Sequence, residues 1–319
     1  MSREKILKII RKNNSFLIST HVNPDPDALA SELAMALFLQ TLGKKVFIIN
    51  EDTVPERFNF FPRINFIRKY DTRFRHKFDV AIIVDCGDLN RIGRVRTLID
   101  PEQIIFNIDH HVTNDYFGDI NIVKPHASST AEVLFDILRN LDCNITKNIA
   151  VLLYMGIMTD TGSFRYESTS AHTHKVVSEL LKYKIPVAEL YRKLYESVPL
   201  EDIKRFTQVV ADFQIFFNGK VAVVELPKKI FLKFSQDFDL RDKIFKYLRS
   251  IKGLDVIVIL TEYRSRITRV NLRSQGKVDV AKIASQFNGG GHSRASGCMI
   301  EENMTKAKQK ILSVFKKHF

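Results

Sequence analysis

Two short segments constrain the fold of this chain more than any others. Residues 80–84 are apolar throughout and run straight into Asp85; residues 104–108 are nearly so and run into Asp109-His110-His111. Apolar runs of this length, followed at once by charged groups, fit strands buried on both faces. That is the situation of a parallel sheet whose crossovers are helices. Similar strands are expected at 16–18, leading into His21-Val22-Asn23-Pro24-Asp25-Pro26-Asp27, and at 46–49. Helical periodicity fills the intervals at 2–13, 28–42, 129–141, 145–158 and 172–181, with Gly43 as a stop for the second of these.

The pattern changes after Pro199. A helix near 201–210 precedes strands at 212–217 and 221–226, a basic helix at 240–250, and strands at 256–262 and 266–273. A helix at 279–287 then leads to Gly289-Gly290-Gly291-His292, a strand containing Cys298, and a closing helix at 306–315. The expected fold class is therefore α/β. An N-terminal domain at 1–184 has a mostly parallel sheet covered by helices, 185–200 is a connector, and a smaller C-terminal α/β domain at 201–319 has a mixed sheet. A length of 319 residues suits two such domains.

Composition excludes several classes. With 45% hydrophobic residues the chain can bury enough apolar surface to fold. Its 3 cysteines make no disulfide framework and fit a reducing, cytoplasmic setting. No apolar run approaches a membrane span of about 20 residues, so no membrane partner is expected. The net charge of +13 favours a polyanionic partner or substrate.

The chemistry sits at the strand ends. In an open α/β sheet the carboxyl ends of parallel strands converge on one crevice, where His21, Asp25, Asp27, Asp85, Asp109, His110, His111 and Asp160 would meet. That many carboxylates repel one another and raise each other's pKa unless cations compensate them. Aspartate and histidine together suit Mn²⁺, Mg²⁺, Fe²⁺ or Zn²⁺ rather than a cysteine-type structural zinc site. Two divalent ions about 4 Å apart activate water and clamp phosphoryl oxygens, which makes phosphoester hydrolysis the natural reaction. Cys86, next to Asp85, reads as a core thiol.

These motifs, together with Val84-Asp85-Cys86-Gly87-Asp88, the Asn114 that follows the paired histidines, and Thr159-Asp160-Thr161-Gly162-Ser163-Phe164, resemble the DHH phosphoesterase superfamily. Gly289-Gly290-Gly291-His292 with Ala295-Ser296-Gly297 is similar to the DHHA1 domain of one branch. Length and order look most like the small oligoribonuclease and pAp-phosphatase type (nanoRNase A-like). The resemblance implies two metal ions, usually Mn²⁺, with Mg²⁺ or Co²⁺ as alternatives. His21, Asp25 and Asp85 would hold one; Asp27, Asp85, His110 and Asp160 the other. It gives Asp85 a catalytic place as the bridge, puts His111 beside the scissile phosphate, and has Asp109 orient a histidine. Asn114 would steady the loop or touch substrate, and Ser128, at a helix start, would lie near a phosphate.

In the second domain Arg269, Asn271 and Arg273 share one face of a strand, a basic surface suited to nucleotide phosphates. By resemblance, Arg269, Arg273, Gly290, Gly291 and His292 would bind the substrate end, with the connector letting a cleft open and close. Phe164, Tyr166 and Phe287 are base-stacking candidates. The implied reactions are hydrolysis of very short RNA to mononucleotides and of 3'-phosphoadenosine 5'-phosphate (pAp) to AMP and phosphate. Cleavage of cyclic di-AMP or linear pApA is the alternative, and a homodimer is left open.

Overall fold

A computed structural model describes residues 3–74, 76–235 and 238–319. It divides into two compact units, Met1–Glu196 and Ser197–Phe319. In the first unit, helix α1 (Arg3–Lys12) precedes strand β1 (Ser15–Ser19), α2 (Pro26–Thr41), β2 (Lys45–Asn50), β3 (Ile67–Lys69), β4 (Val80–Val84), β5 (Ile104–Asp109) and β6 (Ile120–Val123). Helices α3 (Thr130–Asn140), α4 (Lys147–Asp160), α5 (Ala171–Leu181) and α6 (Val187–Tyr195) follow.

All strand pairs of this sheet are parallel, in the order β3-β2-β1-β4-β5-β6. The order reverses between β1 and β4. A crevice opens beyond the carboxyl ends of the strands at such a reversal. The five residues of β4 are all buried, as its uninterrupted apolar run requires. The short edge strands β3 and β6 are additions to the expected set.

Helix α2 is buried on nearly every side, from Asp27 to Leu39, and is rich in alanine. Its apolar character is not confined to one stripe, which marks a helix enclosed by other elements rather than one lying on a surface. Asp25 caps it: the carboxylate accepts the Ala28 N–H at 3.0 Å, with Pro26 in the first turn. Residues read from the sequence as a connector include α6, but Leu190 of α6 is buried in the first unit's core, so that unit continues to Glu196.

The second unit comprises α7 (Leu200–Ala211), β7 (Gln214–Phe216), β8 (Val221–Leu226), α8 (Lys228–Phe231), α9 (Leu240–Leu248), β9 (Val256–Arg264) and β10 (Ile267–Ser274). Then come α10 (Val280–Ser285), β11 (Gly290–His292), β12 (Ala295–Ile300) and α11 (Met304–Phe315). Its sheet runs β11-β12-β10-β9-β8-β7, with β8 parallel to β9 and the other pairs antiparallel. One face packs Val258, Leu260, Val270 and Leu272 against Ile283, Ile311 and Phe315. The opposite face packs Ile257 and Ile259 against Ile244 and Leu248. Alternation along β10 then leaves Arg269 and Arg273 exposed on the second face while Val270 and Leu272 are buried on the first. This α/β architecture, a parallel sheet in the first unit and a mixed sheet in the smaller second unit, is the one the sequence leads one to expect. Among the described residues no helix is long and apolar enough to cross a membrane.

Candidate active site

Asp85 leaves the end of β4 with φ of +52°, a left-handed conformation uncommon for a residue with a side chain. Its N–H still reaches back to the Ile108 carbonyl of β5 at 2.9 Å, and this fixes the turn that aims the carboxylate into the crevice. There Oδ1 accepts the Thr130 hydroxyl at 2.8 Å. Oδ2 lies 3.6 Å from His21 Nε2, and Oδ1 lies 3.7 Å from His110 Nε2. His110 Nε2 also lies 3.2 Å from Asp160 Oδ2. Both imidazoles are held from behind. His21 Nδ1 is 2.8 Å from the Val22 carbonyl and His110 Nδ1 is 3.3 Å from that of Ala127. With Nδ1 protonated to make those bonds, each Nε2 faces the carboxylates, where it carries a proton while no ion is bound and offers a lone pair to an ion, the disposition metal-binding histidines adopt.

Asp27 is supplied by the first turn of α2 and is buried. Its oxygens accept the N–H groups of Thr130 at 2.7 Å and Ala131 at 3.1 Å, so the amino end of α3 is turned onto this carboxylate. Gly156 makes the fit possible. A Cβ there would collide with Asp27 Oδ1 and with the Ala131 side chain. Four residues on, one turn along the same helix, Asp160 forms the last residue of α4 rather than lying beyond it.

Among the described residues three overlapping groups place ligand atoms within 4.8 Å of one another: His21, Asp25 and Asp85; Asp27, His110 and Asp160; and Asp85, His110 and His111. Their charges conflict. Burial and then the Asp85 charge push Asp160 up to about 8, and the same causes in the same order raise Asp25 and Asp27. Burial also works against ionisation of Asp85, but the hydrogen bond with His21 and the charges of His111 and His110 outweigh it and hold Asp85 below the ordinary range. A site with one firmly ionised carboxylate amid others that resist ionisation lacks positive charge. Divalent cations supply it, and an all oxygen and nitrogen donor set fits hard or borderline ions. The residues present fit a two-metal centre.

His111 sits at the rim of this cluster. Its Nδ1 is 2.7 Å from Asp109 Oδ1, and this hydrogen bond, against the opposing effect of burial, pushes the imidazole up to about 9. Asp109 is fully buried and belongs to none of the three groups. It also accepts the His110 N–H at 2.8 Å and the Asn114 amide at 2.6 Å.

Two expected substrate contacts lie elsewhere. Asn114 is buried. Its NH₂ serves Asp109, Asn107 and the Cys86 carbonyl, while its oxygen accepts the Tyr116 N–H. Every polar atom is engaged beneath the site, so it steadies the loop instead of touching substrate. Ser128 is also buried and donates to Glu132 Oε2 at 2.6 Å. The amino end of α3 is capped by Ser129 and turned toward Asp27, which leaves it no free N–H groups in the first turn for a phosphate. Thr130 and Gly156 do more than the sequence reading assigns them. The signal for Gly156 was a glycine in the interior of a helix, costly unless something approaches closely.

In the second unit, Arg269, Arg273 and Gly290 line an open cavity of about 1240 Å³ on the exposed face of β10 and β12. Gly291 and His292 are not part of its lining. Gly291 is required by the backbone instead: its φ is +138°, and a Cβ would meet the Ala295 carbonyl and Ser296. Of the base-stacking candidates Phe287 lines the cavity, whereas Phe164 packs against the first unit's core beside Tyr154 and His174. Tyr263, absent from the sequence reading, stands at the cavity with about half its surface exposed.

Comparison with known proteins agrees with this arrangement. Residues 15–157 match the DHH family, N-terminal domain, and residues 218–317 match the DHHA1 domain. A bifunctional oligoribonuclease and PAP phosphatase, NrnA, of Thermus thermophilus is 30% identical over 299 residues, 92% of this chain and 87% of that protein. The NrnA of Bacillus subtilis is 28% identical over 304 residues, 93% of each chain. Among solved structures, an exopolyphosphatase-related protein of Bacteroides fragilis superposes with a TM-score of 0.90 at 28% identity, covering 99% of this chain and 96% of that one.

Proposed function

The chain belongs to the DHH/DHHA1 phosphoesterase family, and from that premise we propose that it hydrolyses very short RNA oligonucleotides to mononucleotides and pAp to AMP and phosphate. That it is a two-metal phosphoesterase follows from the family and the ligand groups. The reading of the reaction rests on one observation above all: Asp85 stands in two of the three ligand groups, between His21 and His110. The names of the relatives supply the substrate classes.

In this reading His21, Asp25 and Asp85 hold one ion, and Asp27, Asp85, His110 and Asp160 the other. Bound Mn²⁺ ions would provide an activated water and neutralise charge on the phosphoryl oxygens. The remaining work falls to side chains. His111, charged through its bond to Asp109, donates a proton to the leaving oxygen. Asp109 keeps that imidazole in place, and Asn114 keeps Asp109 in place. Arg269 and Arg273 bind phosphate of the nucleotide, and the absence of a side chain at Gly290 leaves room for it. The reaction takes place in the cytoplasm.

The test is turnover with Mn²⁺ of pAp, pApA, a five-nucleotide RNA, cyclic di-AMP and pyrophosphate, side by side. Fast release of AMP from pAp and of mononucleotides from RNA is the expected result. Preference for cyclic di-AMP would replace this reading with turnover of a cyclic dinucleotide, and no turnover of any of them would refute it.

A further inference from the structure

The chain leaving β4 lies at the reversal of the first sheet. β4 stands between β1 and β5, so this segment runs between the loop that carries His21 and the loop that carries His111. Both neighbours are tied to it. The Arg91 carbonyl accepts the Val22 N–H at 2.7 Å, and the Gly87 carbonyl accepts the Asp115 N–H at 2.9 Å. Ile92, fully buried, pins the segment to the core beneath. The backbone of Arg91 is thus fixed while its side chain is exposed.

The arginines of this segment are not equivalent. Arg94 pairs with Glu51 at 2.6 Å, and Arg96 donates to Asn90 Oδ1 at 2.6 Å. The Asp88 carboxylate, the nearest acid in the sequence, accepts two hydrogen bonds from Asn90. Among the described residues Arg91 enters no ion pair. Its charge nevertheless acts on His111, opposing the bond to Asp109 that keeps that imidazole charged. Two cations at one rim repel each other, and an anion beside both turns the repulsion into a shared attraction. A guanidinium offers paired N–H donors that match phosphate oxygens.

The two reactions proposed above present different phosphates. The phosphate cut from pAp is terminal, whereas that between two nucleosides is esterified on both sides. The terminal one has an additional free oxygen and about one more negative charge. An unpaired cation near the proton donor suits that additional oxygen. A diester has an uncharged ester oxygen in its place.

We propose that Arg91 holds the free oxygen of a terminal phosphate, so that it favours a phosphomonoester over a phosphodiester at this centre. This rests on the reading above that one centre cuts both pAp and short RNA.

The test compares pAp with pApA, which differs only in that a second adenosine esterifies the phosphate to be cut. Arg91→Ala and Arg91→Gln should each lower the ratio of kcat/KM for pAp to that for pApA by about ten- to a hundred-fold, the range of a hydrogen bond to a charged group. Arg96→Ala, which removes the same charge from the same segment, should leave the ratio at its wild-type value. A calorimetric titration of the Mn²⁺-loaded chain with sulfate, a tetrahedral dianion, gives a second readout. Arg91→Ala should bind sulfate about ten-fold or more weakly than wild type, with Mn²⁺ affinity unchanged. A ratio or a sulfate affinity unchanged in Arg91→Ala overturns the proposal. So does an equal effect of Arg96→Ala, which would mean charge in general, or a loss of Mn²⁺ binding in Arg91→Ala, which would mean a structural role. Failure of the wild type to turn over pAp and pApA, with sulfate binding still dependent on Arg91, would instead overturn the proposed function alone.

Discussion

His111 Nδ1 lies 2.7 Å from Asp109 Oδ1, and the other oxygen of the same buried carboxylate accepts the Asn114 amide at 2.6 Å. The paired histidines therefore have separate supports. His110 is fixed by the Ala127 carbonyl and faces Asp85 and Asp160, whereas His111 is fixed by a carboxylate and faces the rim. In the function proposed here, what stands behind the two imidazoles, adjacent and identical in the sequence, divides them between metal binding and proton transfer.

Asp109→Asn tests this division. One oxygen becomes an NH₂ group, which must face either the Asn114 amide or the His111 N–H, so one hydrogen bond becomes a donor–donor contact. The expected result is a fall in kcat of about 10²-fold or more, the scale of a lost general acid, with KM for pAp little changed. A rise in KM with kcat intact would contradict a role in holding the proton donor.

Gly156→Ala adds a methyl group where Asp27 and Ala131 leave no room. Over-packing of this kind costs about 1–3 kcal/mol. Because one of the displaced groups is the Asp27 carboxylate, Mn²⁺ affinity should fall as well. Thermal unfolding in EDTA and a Mn²⁺ titration measure the two effects separately. A variant with wild-type values in both would show that the close approach carries no weight.

Glu32 gives a pH signature outside the ligand groups. It is fully buried in α2, with Oε2 accepting the Asn50 amide at 2.9 Å and Oε1 without a partner. Burial raises it from 4.5 to about 8, against the lowering effect of that hydrogen bond. The folded chain thus keeps a proton that the unfolded chain releases. The stability this provides is fully present below about 4.5 and is lost as pH rises through about 8. Glu32→Gln keeps an acceptor for Asn50 and has nothing to titrate. In EDTA, its stability relative to wild type should increase from pH 5 to pH 9, by an amount on the order of several kcal/mol at most. Parallel curves for the two proteins would contradict the account.

The central strands were legible because burial on both faces leaves its mark in the sequence. β4 is a continuous apolar run, and it ends where the charged group begins. That the candidate ligands gather was legible for the same reason: β1, β4 and β5 all deliver their carboxyl ends to one crevice. The edge strands β3 and β6 were not, since three- and four-residue segments become strands through their neighbours rather than through any pattern of their own. β11 reads as a turn because glycines carry no strand preference, yet its pairing with β12 extends the sheet. Asn114, Ser128 and Glu32 are polar residue types that usually lie at the surface. Their burial depends on how neighbouring elements close over them, as the strand carrying Asn50 does for Glu32, and no local signal announces it. Tyr263 was hidden in another way: an aromatic residue in a strand reads as core, and only the open cavity shows otherwise.

The measurement that bears most directly on the central claim is the Mn²⁺ stoichiometry of the wild-type chain and of Asp85→Ala, with pAp turnover followed in the same samples. Two ions per wild-type chain, with loss of tight Mn²⁺ binding and of turnover in the variant, are expected from a carboxylate placed between His21 and His110. Wild-type stoichiometry and turnover in Asp85→Ala would contradict it.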